Sequence, residues 1–226
     1  MNLLGVHTFA VASEWQNEIM EKALPRLHAL GVRLVEIPLL RPDELDAAAA
    51  KALAERNGMG LVCSLGLPKR LDIVKRPDEA AGFLNRALEV TARTGAASLS
   101  GVPYGTLGYT SGKPRTEKEM DAVCRLLERA ARTARTRGLS IGIEPCNRYE
   151  THLLNRASDA RQVTKTTRFP PVPVDVRQEL LPLVTGDRCL SWRGAQANSL
   201  SAKMVGPRQG ASPRRVERRS ALCRPD

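Results

Sequence analysis

Leu139-Ser-Ile-Gly-Ile-Glu144-Pro-Cys-Asn147-Arg148-Tyr149-Glu150 is the stretch whose reading decides the fold. Leu139 to Ile143 is short and apolar with no helical period, the pattern of a buried strand. Glu144 closes it, and Pro145, which cannot donate to a ladder, opens a loop that carries Glu150. A carboxylate at the C-terminal end of a strand is where a parallel β/α barrel gathers its catalytic groups. The plain alternative is a strand-end carboxylate in solvent or in an ion pair, which these residues alone do not exclude.

Outward from this stretch the chain alternates. Asn2 to Phe9 is an apolar strand ending near His7, and Arg33 to Ile37 a second, with Glu36 near its end. Gly60 to Leu65 is a third strand, carrying Ser64, and Ala96 to Val102 a fourth. Between them lie helices. Ile19, Ala23, Leu24, Leu27 and Leu30 have helical spacing before Gly31, and an alanine-rich helix runs from Pro42-Asp43 to Arg56. Pro77 to Arg93 is stopped by Gly95, and a capping box of Thr116 with Glu119 opens a helix to Arg137 that Gly138 ends. Asn155 is a candidate cap for a fifth helix. Five strand–helix units at intervals of roughly 30 residues are the signature of parallel β/α architecture. The pattern also admits a doubly wound sheet, but no GxGxxG follows the first strand, so a dinucleotide site is unsupported.

The chain has 226 residues, enough for one full core. No run reaches the roughly 18 apolar residues of a membrane span, and Met1 to Ala10 lacks the charged start of a signal peptide. Five cysteines at irregular spacings, without CxxC, suit a reducing compartment, so a cytoplasmic protein is expected. The net charge of +11 invites a nucleic-acid reading, but its distribution argues against one. Residues 1–162 hold 23 Lys+Arg against 19 Asp+Glu, whereas residues 163–226 hold 12 against 5.

Glu144, Pro145, Asn147, Arg148, Tyr149, Glu150 and Asn155 together resemble the glutamate motif of the ketose 3-epimerases, which act on D-tagatose and D-psicose and belong to the xylose isomerase-like barrels. The resemblance covers about residues 1–160. It implies an α/β fold of TIM-barrel type with five of the eight β/α units. It implies epimerisation of a ketose at carbon 3, by proton removal from one face and return to the other through an enediolate. It makes Glu144 both an acid/base carboxylate and a ligand of a divalent metal (Mn, Co or Mg), and sets Glu150 against the sugar at carbon 1. Trp15 matches a family Trp, while His7 stands where the family has an aromatic. Ser64, Val102 and Leu107 fall at pocket positions, although Val102 and Leu107 read equally well as core, His7 as a satisfied core histidine and Trp15 as a packing residue. Family members form homo-oligomers.

From Gln162 the helical period is lost, and Pro, Arg and Ser accumulate, so residues 1–161 read as a partial barrel and 162–226 as a basic, irregular tail. No His follows His152, and Asp175, Asp187 and Glu217 lie in no recognisable strand, so the family's remaining ligands are not found. The abrupt change reads as a shifted reading frame; a divergent basic arm, with Arg214, Arg215, Arg218 and Arg219 contacting phosphates, is the alternative. The tail's aromatics are Phe169 and Trp192, too few for a base-stacking platform. The chain as given is expected to be inactive, with an apolar, aggregation-prone open side. Hydroxypyruvate isomerase-like chemistry on the same barrel, and a non-enzymatic fragment with a basic tail, are the competing readings. Endonuclease IV-like cleavage uses several His ligands, and this chain has three His in all.

Overall fold

The computed structural model describes residues 3–166. The expectations for the tail from residue 167 onward lie outside the described residues.

Among the described residues, five strands form one parallel sheet in the order β1-β2-β3-β4-β5: Leu4–His7, Val32–Pro38, Gly60–Gly66, Ser98–Val102 and Ser140–Ile141. Spatial order equal to chain order is barrel winding, whereas a doubly wound sheet reverses direction partway. The helices are α1 (Asn17–Ala29), α2 (Ala47–Arg56), α3 (Pro77–Arg93), α4 (Glu117–Thr136) and α5 (Ala157–Thr166).

One face of the sheet packs on the helices. Val35, Ile37, Cys63, Leu65, Leu99 and Ile141 alternate along their strands and are all buried, against Met20, Leu24, Leu84, Leu88 and Leu127. Each fully buried aliphatic side chain here contributes about 2 kcal/mol of transfer free energy. The other face, which looks into the barrel, carries His7, Glu36, Ser64 and Ser100, matched across the strands by register. The upper part of the open side is therefore polar, not apolar as expected, because strand alternation sends the apolar residues to the helices.

Several boundaries differ from the sequence reading, each for a local reason. Pro42 to Arg56 is two pieces. Pro42–Glu44 is a 3-10 turn, and Asp46 restarts the chain as α2 by accepting the N–H of Ala49 at 3.0 Å. Leu30 follows the last residue of α1 and is 76% exposed. Glu36 lies two residues inside β2, which continues to Pro38. β5 spans only two residues, yet its backbone bonding continues: Gly142 N–H donates to Leu99 at 2.9 Å and Glu144 N–H to Gly101 at 2.8 Å. Helix α5 runs to Thr166, past the boundary at residue 161. Asp159, in its first turn, accepts the N–H groups of Asn155 and Arg156 just before the helix; the Asn155 amide instead donates to the carbonyls of Cys146 and Thr151, tying the loop together.

Gly101 permits the close approach of β3 and β4. Its φ is +95°, and a Cβ there would lie 2.6 Å from the carbonyl oxygen of Leu65. A Cβ on Gly142 would come within 2.9 Å of Ser100 Cβ. Side chains at either position would push apart the strands that carry Glu144.

Candidate functional site

Glu144 follows β5 on the open side of the sheet, with the residue exposed to solvent and its backbone fixed from both directions. Its N–H is bound by Gly101, and its carbonyl accepts the hydroxyl of Tyr104 at 2.7 Å. Tyr104 is fully buried, and burial, followed by the neighbouring Cys146 and Glu144, raises its hydroxyl far above the usual range, so it remains a donor. The Glu144 carboxyl is pushed up, first by the protein packed around it, then by the charges of Glu36 and Glu150. A carboxyl raised above its ordinary value, on a fixed backbone, is suited to give and take a proton.

Glu150 sits in the loop after β5. Its Oε2 accepts from the Asn147 amide, whose Oδ1 accepts the Tyr149 N–H at 2.9 Å. His7 and Glu36 face each other at 3.8 Å across β1 and β2. Ser64 is buried on the inner face of β3. Val102 ends β4 at 1% exposure, inside the core, and Leu107 packs partly buried beside Gly66. Trp15 lines a cleft of about 240 Å³ with Pro38, Leu39 and Arg41, and its indole N–H donates to Asn17 at 2.8 Å. The structure thus gathers Glu144, Glu36 and Glu150 within electrostatic reach, while Trp15 lines a cleft to which none of those three contributes.

Sequence reading missed the groups that weld the loop after β4 to the loop after β5. Arg115 donates to the Leu153 carbonyl at 2.8 Å and pairs with Asp159 at 3.0 Å. Nδ1 of His152 accepts the Ser111 N–H at 3.3 Å, and its Nε2 lies 3.0 Å from Glu119. Burial favours the neutral form of Glu119, but the His152 and Thr116 hydrogen bonds win and hold its carboxyl low. Gly108 N–H donates to the Glu150 carbonyl at 2.9 Å. One signal was available for Tyr104, since a buried tyrosine needs a partner for its hydroxyl; the others join positions 33 to 44 residues apart.

The divalent metal that the motif implies needs several converging donors. Among the described residues no three His, Cys, Asp or Glu converge to hold a metal ion. Glu36 and Glu150 act on Glu144 as like charges, and the His7 imidazole, 3.8 Å from Glu36, does not complete a ligand set among the described residues. The described residues do not fit the metal.

The chain belongs to the xylose isomerase-like TIM barrel family, whose model matches residues 24–174. Within it, the chain is 31% identical over 158 residues to the L-ribulose 3-epimerase of Methylomonas sp. (strain DH-1), covering 67% of this chain and 54% of that protein. It is 29% identical over 164 residues to the ketose 3-epimerase of Arthrobacter globiformis, covering 70% and 55%. The crystal structure of the D-allulose 3-epimerase from Methylomonas sp. in complex with D-allulose superposes with a TM-score of 0.69 at 26% identity, over 75% of this chain and 61% of that one. The chain spans about half the length of the curated relatives it matches. Among the described residues no helix is long and apolar enough to cross a membrane.

Proposed function

We propose that the chain is part of a ketose 3-epimerase, with Glu144 as one of its two proton-transfer carboxylates. The observation that carries this is the raised carboxyl of Glu144, on a clamped backbone at the end of β5. Support comes from relatives named as 3-epimerases of L-ribulose and of ketoses. The hydrogen on carbon 3 is acidic because the neighbouring ketone delocalises the electron pair left behind. Ionised Glu144 takes that proton and a second group returns one to the opposite face, inverting the carbon. Glu150 lies in the same loop as Glu144 and is held by Asn147, which suits it to orient a hydroxyl.

The divalent metal that the motif implies would need donors beyond those described, and the opposing carboxylate is likewise not among the candidates assigned here. We expect no turnover from the 226-residue chain, and a gain of turnover in a chimera supplying the last three β/α units of a full-length relative. The assay is epimerisation of D-fructose and D-tagatose, with and without Mn²⁺ or Co²⁺, by both proteins. Turnover by the unaltered chain would overturn the inactivity; an inactive but folded chimera would count against the epimerase reading.

A further inference from the structure

The segment after β4 and the loop after β5 run side by side. Gly108 N–H donates to the Glu150 carbonyl at 2.9 Å, Tyr109 forms a parallel bridge with Thr151, and Ser111 N–H donates to Nδ1 of His152 at 3.3 Å. These contacts carry the parallel pairing of β4 with β5 past the ends of both strands. Leu107 immediately precedes the first segment and Glu150 opens the second, so the zipper fixes the spacing between a candidate pocket residue from each loop. Asn147 holds the Glu150 carboxylate only to its own loop. The zipper is what locates that loop against Leu107.

His152 closes the zipper. Its side chain is 11% exposed. With Nδ1 as an acceptor, the ring proton sits on Nε2, which donates to Oε1 of Glu119 at 3.0 Å. The other oxygen of Glu119 accepts the Thr116 N–H at 2.7 Å and its hydroxyl at 2.8 Å, within the capping box of α4. The ring also stands edge-on to Tyr109, with centroids 6.3 Å apart. Both imidazole nitrogens therefore bond the segment that follows β4, across 41 and 33 residues of chain. We propose that His152 is a positioning residue: by tying the segment after β4 to the loop of Glu150 it sets the spacing between Glu150 and Leu107, and with it the affinity for the hydroxyl that Glu150 orients, a role that rests on the ketose reading given under Proposed function. Groups carried on loops depend on the contacts behind them for their placement, and a small displacement of a substrate-holding group has a large effect.

The test begins with amide hydrogen exchange of the full chain, read by NMR. His152→Ala is expected to speed exchange of the Gly108 N–H about tenfold or more, although His152 does not touch that bond. His152→Asn keeps an oxygen that can accept from Ser111, and His152→Gln keeps a nitrogen that can donate to Glu119. Each is expected to lose only part of the protection, and they answer the question if His152→Ala fails to fold. In the chimera described under Proposed function, His152→Ala is expected to raise KM for D-allulose about fivefold with kcat within about twofold, because Glu150 binds and does not transfer the proton. Unchanged Gly108 exchange in the variants that fold, or a lower melting temperature with unchanged KM, overturns the inference and leaves the role of Glu144 standing. A folded chimera without turnover overturns the inference and the ketose reading together.

Discussion

Leu99 and Ser100 are neighbours on β4 and belong to opposite surroundings. Leu99 is fully buried among the residues that meet the helices, while Ser100 faces the barrel beside Ser64. The same alternation runs through the sheet, with Ile37 and Cys63 outward and Glu36 and Ser64 inward. Stability and chemistry are therefore carried by interleaved residues of the same strands. The outer face can be weakened without touching a candidate functional group, and the inner face can be altered with little cost to the fold.

The sharpest break of this contrast is a pair of substitutions one residue apart. Leu99→Ala should lose about 3 kcal/mol of unfolding free energy, through lost burial plus the cavity left behind. Ser100→Ala should change stability by less than about 0.5 kcal/mol, since its hydroxyl makes only a long 3.4 Å bond to the Cys63 carbonyl. Urea titrations of the two variants measure this, and similar losses would remove the distinction between the faces.

Asp159 tests whether the loop weld has a cost of its own. Asp159→Ala leaves the Asn155 and Arg156 N–H groups and Arg115 without their acceptor, and should lose about 2 kcal/mol. Burial favours the neutral carboxyl, but Arg115 and the two backbone N–H groups overcome it, so the folded value is depressed. The stabilisation is present above the ordinary aspartate value near 3.9 and is lost as pH falls through the lower folded value. The gap between wild type and Asp159→Asn should close in that acid range.

How legible these features were depends on whether their causes are local. Helix α3 was bounded correctly at Pro77 and Arg93, because Pro opens a helix and Gly95 stops it. The capping box of Thr116 and Glu119 was readable for the same reason. Pro42 misled, because its 3-10 turn looks like a helix start and the true cap, Asp46, lies four residues on. Glu144 was legible from strand, Pro and motif together. Its electrostatic coupling to Glu36 was not, since it joins a residue of β2 to one after β5, far apart in sequence. The Arg115–Asp159 and His152–Glu119 contacts stayed hidden because they join the segments that follow different strands.

The smallest stability effect belongs to Glu144 itself. Its folded value is raised, so the protein is penalised as pH rises from the ordinary glutamate value toward the folded one, and fully penalised above it. Glu144→Gln should match wild type at pH below about 4 and be slightly more stable at pH 7, by less than about 1 kcal/mol on this solvent-screened side. Thermal melts across that range read the sign, and a loss of stability at pH 7 would mean the ionised carboxylate has a stabilising partner instead.

Hydrogen–deuterium exchange at carbon 3 of D-allulose, followed by NMR in D₂O, tests the role of Glu144 most directly. In the chimera completed with the last three units of a full-length relative, exchange should occur at carbon 3, and Glu144→Gln should abolish it while the melting temperature stays within a few degrees. Undiminished exchange in the folded Glu144→Gln chimera would contradict the assignment.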